Sequence, residues 1–363
     1  MAPLLSNMLL VPTRVILRLY SFLFWAVIYS LSSLSVGFTA LRLAWPVCTK
    51  PKKMFSWQAR KTAPDCLSDT SLGMHHYIQI KDSGLRFHYV AAGEKGKPLL
   101  LLLHGFPEIW YSWRYQLREF KSEYFVVAVD LRGYGNSDAP TGRENYKMEL
   151  LRHDIQDIIE ALGYHKCILG GHDWGGILAW SFAVYHPEMV DKLIVMNAPH
   201  LTAFKEYLFR HPSQLLKSIY IFFFQVPKLP ELVISLNDFS MLKEVMTDSQ
   251  RGIRSKTHQL TVEDIEAYLY VFSQPGALTG PLNYYRNIFS SFSAKRQDVT
   301  VPTLLIWGEK DAFLELGMLP YIEQYVQKQL QKYVVPEASH WVQQDQPEVV
   351  NKLMWSFLKQ KIK

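Results

Sequence analysis

Asp173 lies in the run Gly171-His172-Asp173-Trp174-Gly175-Gly176, between a short apolar segment and a helical one. Small residues two positions before and two after a nucleophile permit the sharp strand-to-helix turn that lifts it clear of its surroundings. The position that such a turn usually gives to serine here holds a carboxylate. An aspartate at this place would equally serve as a helix N-cap. Its company argues for chemistry. Asp311 follows a late apolar run in Trp307-Gly308-Glu309-Lys310-Asp311, and His340 comes later still, in Ala338-Ser339-His340-Trp341. Nucleophile, acid and histidine therefore occur in the order used by one large class of hydrolytic folds. A carboxylate with an ordinary pKa of about 3.9 is ionised at neutral pH. It displaces a leaving group at saturated carbon without a base and becomes an ester. Hydrolysis of that ester does need a base, which is the role expected of His340, with Asp311 fixing its ring. The loop His104-Gly105-Phe106-Pro107 follows an earlier apolar run. The expected oxyanion donors are the backbone N–H groups of Phe106 and Trp174. Pro107 has no N–H to give, and His104 is expected to support the loop.

The elements that must position these groups are legible as alternation. His76–Gly93 reads as a hairpin turning at Asp82-Ser83-Gly84. Solid apolar runs then follow at Leu99–Leu103, Phe125–Val129, Lys166–Gly170, Lys192–Met196 and Thr303–Trp307, most of them ending in polar or glycine residues. Such runs fit strands buried on both faces of a parallel sheet. Helical patterns cover about Met148–Leu162, the segment from Gly175 to before Pro187, and Glu348–Lys361. The expected architecture is a doubly wound, mostly parallel α/β sheet with its site at the C-terminal strand ends. Residues from about His200 to Val299 interrupt the alternation with aromatic, helix-like stretches such as Glu263–Ser273. They read as a lid inserted into one domain, because the strand pattern resumes at Thr303.

The N-terminus adds an uncharged stretch from Leu19 to Leu41, bracketed by Arg14, Arg18 and Arg42. A spanning helix needs about 20 largely apolar residues, whereas the apolar core of a cleaved signal is only about 7–15 residues. A retained transmembrane anchor is the expectation, with membrane lipid as its partner. Trp25, Tyr20 and Tyr29 suit an interface. Arg42, Lys50, Lys52, Lys53, Arg60 and Lys61 follow the span. They lean the orientation towards a cytosolic domain, as does the lack of any Asn-x-Ser/Thr sequon, and the endoplasmic reticulum is the expected membrane. The net charge of +6 is partly this cluster, so no nucleic-acid partner is expected. The three cysteines, Cys48, Cys66 and Cys167, match no zinc spacing and cannot close a disulfide set. Cys48 is a spare thiol or a palmitoylation site. The expected division is a flank over 1–18, the span over 19–41, a linker over 42–72, and one domain over 73–363 with its lid at about 200–299.

The segments HGFPEIWYSWR, DLRGYGNSD, GHDWGG and ASHW resemble the epoxide hydrolases of the α/β-hydrolase fold, from about Gly73 to the C-terminus. With the apolar N-terminus, the chain is most similar to the membrane-anchored vertebrate members. The resemblance implies addition of water to an epoxide to give a vicinal diol, with no metal or organic cofactor. It also implies two lid tyrosines that hydrogen-bond the epoxide oxygen: Tyr285, in Gly280-Pro281-Leu282-Asn283-Tyr284-Tyr285-Arg286-Asn287, and Tyr220, before FFFQVP. Tyr284 is the neighbouring alternative, and lid packing is the alternative role for both. Arg132, Gly133, Tyr134 and Gly135 fit the fold's loop after a strand, and Trp110 and Trp113 either line the pocket or pack beneath it. A lipophilic substrate such as a fatty-acid epoxide suits the aromatic lid. A haloalkane dehalogenase would share the aspartate nucleophile, but Phe106 stands where that family often places a halide donor, and lid tyrosines serve it no purpose. A membrane-anchored lipid-binding protein without turnover is the non-enzymatic alternative.

Overall fold

The computed structural model describes residues 2–291 and 296–360, with side chains from Val15 onward. The Arg14 side chain and the expected helix end at Lys361 therefore lie outside the described residues. Eight strands form one sheet in the order β1-β2-β4-β3-β5-β6-β7-β8. They are β1 (Met74–Gln79), β2 (Arg86–Ala92), β3 (Leu99–Leu103), β4 (Phe125–Val129), β5 (Cys167–His172), β6 (Val190–Met196), β7 (Thr303–Gly308) and β8 (Leu330–Val335). The hairpin β1–β2 and the pair β2–β4 are antiparallel, and all remaining pairs are parallel.

β3 is five leucines, a residue type with more taste for helix than strand. Tertiary context decides otherwise. Pro98 precedes the run, disfavouring helical backbone just before it. The strand lies between β4 and β5, where all five side chains are buried on one face or the other. Each such leucine contributes roughly 1.5–3 kcal/mol by leaving water. β4, β5 and β7 are likewise buried throughout. The edge strand β8, Leu-Gln-Lys-Tyr-Val-Val, is mostly solvent-facing. It lacks the solid apolar signature, and the sequence reading did not single it out. Helix Arg114–Phe120 escaped in the same way, being only seven residues long.

Between β6 and β7 the chain forms the helical lid, including Leu201–Arg210, Ile219–Phe223, Leu229–Thr247, Val262–Phe272 and Thr279–Asn287. Val262–Phe272 starts at a reciprocal cap, Thr261 with Asp264. The long segment Leu229–Thr247 breaks at Asn237, Asp238 and Phe239, whose φ angles are 51°, 54° and 58°. Arg60 holds this break from outside, reaching Asp238 at 2.5 and 2.7 Å and Glu266 at 3.0 Å. The Arg60 guanidinium in turn holds the Asp238 carboxyl down at about 2. The stretch read as a linker is thus strapped to the lid.

The N-terminal helix runs Ala2–Thr49, well past the expected end at Leu41. Its segment from Val15 is, among the described residues, the one helix long and apolar enough to cross a membrane by length and composition. It does not stand free. Ile28, Ser32 and Ser35 are buried on one face, and the helix packs against lid helix Ile219–Phe223. The two serines return their hydroxyls to backbone carbonyls one turn back, at 2.8 and 2.7 Å. Their buried polarity is met, and their small size permits close approach. Cys48 is exposed near the end of this helix.

Candidate active site

The turn at Asp173 follows from its glycines. A Cβ on Gly171 would sit 2.3 Å from the Gly175 carbonyl oxygen, and one on Gly175 would sit 2.1 Å from that of Leu103. Neither space exists, so β5 and helix Trp174–Tyr185 can meet this tightly only around glycine. Asp173 takes φ 49° and ψ −120°, a strained backbone for a non-glycine residue. The helix ends before Pro187, consistent with the bias that proline imposes on its predecessor.

The structure brings Asp173, Asp311 and His340 together from three separate chain segments. His340 Nδ1 is 2.8 Å from Asp311 Oδ2, and His340 Nε2 is 3.5 Å from Asp173 Oδ2. The other Asp311 oxygen accepts the N–H groups of Phe313 and Leu314 at 2.8 and 2.9 Å. Asp173 Oδ1 accepts the Phe106 N–H at 2.8 Å. The Trp174 N–H belongs to the first turn of the helix after Asp173. Burial alone would raise both aspartates, but the His340 charge and hydrogen bonds outweigh it and hold both carboxyls below their ordinary value. Burial alone would likewise lower His340. The charge of Asp311, with the hydrogen bonds and charge of Asp173, instead pushes it up to about 10. At rest it is an imidazolium between two carboxylates.

Tyr220 and Tyr285 lie in the wall of the same cavity as Asp173 and His340. The Tyr285 ring packs edge-on against Trp174 and Phe106, with centroids 5.0 and 5.5 Å away. The Tyr220 ring is 5.9 Å from that of Tyr285. Burial, then the Asp173 charge, raises the pKa of both phenols. They stay protonated, as donors, across the physiological range. Tyr284 is spent elsewhere, its hydroxyl donating to the Arg132 carbonyl at 2.8 Å. Trp110 and Trp113 are buried away from the cavity wall, and Arg132 is engaged in a buried ion pair with Asp154. His104 accepts the Leu131 N–H at 3.1 Å and faces the Gly105 carbonyl at 2.9 Å, a supporting position in the loop.

Three residues that the sequence did not single out tie the site together. Asn197 donates to Asp311 Oδ2 at 2.7 Å and accepts the Gly308 N–H at 3.1 Å. Glu108 is fully buried. Its Oε2 accepts the Gly105 N–H at 2.9 Å and meets His172 Nδ1 at 2.7 Å, while Oε1 takes Gln343 and Gln344, each at 2.9 Å. His172 Nε2 reaches the His340 carbonyl at 2.9 Å. One carboxylate thus couples the Phe106 loop, the strand that leads into Asp173 and the loop carrying His340. The only sequence signal for it was a charged residue directly after the His-Gly-Phe-Pro run.

The cavity has a volume of about 560 Å³, within the usual range for small-molecule sites. Its wall is mainly aromatic and aliphatic, with Phe223, Phe224 and Phe313 above the carboxylates. Among the described residues, no three His, Cys, Asp or Glu side chains converge as a metal site.

Residues 98–347 match the α/β hydrolase fold family. Human epoxide hydrolase 4 is 59% identical, over 96% of this chain and 96% of its own. Epoxide hydrolase 3 of Xenopus tropicalis is 54% identical, over 98% and 97%. Among solved structures, a variant of a Bacillus megaterium epoxide hydrolase complexed with its product, a naphthyloxy-propanediol, superposes with a TM-score of 0.71 at 34% identity, covering 78% of this chain and 100% of that one.

Proposed function

The chain belongs to the epoxide hydrolases of the α/β-hydrolase fold, a family of hydrolases acting on epoxides, and from that premise we propose that it opens a lipophilic epoxide through a covalent ester on Asp173. The observation that carries this reading is the double engagement of the Asp173 carboxylate. One oxygen is pinned by the Phe106 N–H and the other faces His340, within a cavity walled by two protonated phenols.

The first step displaces an oxirane oxygen. An Asp173 oxygen bonds to a ring carbon as the C–O bond of the epoxide breaks. The departing oxygen takes a proton from Tyr285 or Tyr220, a general-acid contribution worth roughly 10²–10⁴ in rate. The phenolate regains its proton from the His340 imidazolium. Esterification has by then removed the Asp173 charge, so His340 loses one of the two carboxylates that held its pKa up. It emerges neutral and competent as a base. It then takes a proton from water, whose oxygen adds to the ester carbonyl carbon. The N–H groups of Phe106 and Trp174 stabilise the resulting oxyanion. Collapse breaks the ester C–O bond. The departing glycol oxygen takes the proton of the new Asp173 hydroxyl. Carboxylate and imidazolium are restored, and the net change is epoxide plus water to diol.

The lipophilic wall and the apolar helix support a water-poor substrate such as a fatty-acid epoxide, met at a membrane. In this reading the helix holds the protein to the endoplasmic reticulum through the exposed apolar residues within 19–41 and before it, on the faces turned away from the lid, with the catalytic domain on the cytosolic side. The basic cluster from Arg42 to Lys61 supports that orientation. The test is vicinal diol from a long-chain epoxide, measured by mass spectrometry with the full chain in detergent. Asp173→Ala should lose at least about 10⁴-fold in rate. Equal diol from both folded proteins would sink the assignment.

A further inference from the structure

The cavity above Asp173 is not closed by the lid alone. Ser35, Phe38, Thr39, Arg42 and Leu43 of the N-terminal helix line it, as the phenols, Asp173 and His340 do. The contact is a built one, since Ile28, Ser32 and Ser35 are buried against the lid. One continuous space therefore runs from the reacting carboxylate to a helix that belongs to no catalytic element.

The charges along that space are unequal. Asp173 is paired with His340. Glu244 has Arg251 at 3.9 Å, and Arg251 also has Asp248 at 3.6 Å. Lys217 has Glu315 at 3.8 Å. Arg42 is exposed and lines the cavity, yet among the described residues its side chain has no carboxylate partner and no hydrogen bond. A guanidinium offers a planar fork matched to a carboxylate. The rest of the lining is mostly apolar, with Phe38, Leu43, Phe223 and Phe224 part of it. Such a space holds a carboxylate paired with a histidine, a largely hydrocarbon-like wall and an uncommitted cation.

We propose that the N-terminal helix forms part of the substrate site, and that Arg42 receives the carboxylate of a long-chain epoxy fatty acid whose oxirane lies at Asp173. This rests on the reading of the chain as an epoxide hydrolase for lipophilic substrates. It adds that the anchor selects as well as tethers. Exposed Leu41 and Trp45 flank Arg42 in sequence, so the same stretch that meets lipid would guide an amphipathic acid into the cavity, hydrocarbon first.

The test uses the full chain in detergent micelles, with an epoxy fatty acid, its methyl ester and a small aromatic epoxide. The readout is the preference for acid over ester in kcat/KM. A charge-assisted contact at a partly solvated mouth supports a preference of about 5- to 10-fold. Arg42→Gln should abolish that preference through KM rather than kcat, Arg42→Lys should keep part of it, and Arg42→Glu should reverse it. A wild type that does not distinguish acid from ester overturns the proposal, as does a preference that survives Arg42→Glu. Turnover of the small epoxide alone removes the long-chain substrate class and this proposal with it, leaving the reaction assignment intact. Inactivity on all three removes the reaction assignment itself.

Discussion

Asp173, Asp311 and His340 hang from the C-terminal ends of β5 and β7 and from the loop after β8, whereas Tyr220 and Tyr285 hang from short helices of the lid. The floor is fixed by directional bonds. Asp311 alone accepts from Phe313, Leu314 and Asn197 and faces His340, and Glu108 laces three segments beneath it. The roof is fixed by ring packing around Tyr285 and by outside straps, Arg60 on the lid break and the N-terminal helix on Ile219–Phe223. Charge has to be placed to within a fraction of an ångström, and buried hydrogen bonds on rigid strands do that. An apolar ligand needs only shape and dryness, which packed aromatics supply.

Replacing His340 by Gln should separate the two regions most sharply. In the proposed mechanism, ring opening draws its proton from the roof's phenols, and ester hydrolysis draws on the floor's base. Turnover should fall by about 10⁴-fold or more, while Asp173 accumulates the mass of one substrate, read by peptide mass spectrometry. Loss of turnover with no trapped ester would mean that ring opening itself needs the His340 proton, not only the reprotonation of the phenolate that follows, and would blur the division. Tyr285→Phe should act on the roof alone. We expect about 10²-fold slower ester formation in single-turnover kinetics, with hydrolysis of the preformed ester nearly as in the parent. A slowed second step would show that the phenol also serves the floor.

The smallest effect is on stability. The His340 pKa is raised from 6.5 to about 10 in the folded protein. Its ion pairing therefore stabilises fully below about 6.5 and fades as pH rises through about 10. Thermal melting should show the parent losing more stability between pH 6 and pH 10 than His340→Gln does. Parallel losses would mean that the imidazolium is not the floor's electrostatic keystone.

Much of this was legible beforehand because burial on two faces leaves a simple mark. β3 and β4 coincide with their apolar runs, and β5, β6 and β7 differ by no more than two residues at an end. The Asp173 turn was legible because its glycines are dictated by backbone contacts within one short segment. β8 was not, since an exposed edge carries no apolar run. Nor were Glu108 and Asn197, whose partners lie far off in the chain: Glu108 meets His172, Gln343 and Gln344, and Asn197 meets Asp311.

By itself, the sequence determined a parallel α/β sheet interrupted by a helical lid, and an aspartate, an aspartate and a histidine in hydrolytic order, because local sterics and hydrophobic period are written residue by residue. Only the tertiary structure decided that Tyr285 and not Tyr284 faces the cavity, since adjacent helical positions diverge by about 100° and the lid's packing chooses between them. It alone decided, too, that the N-terminal helix lies on the lid and brings Arg42 to the cavity wall. That contact joins segments nearly two hundred residues apart, and no local pattern encodes it.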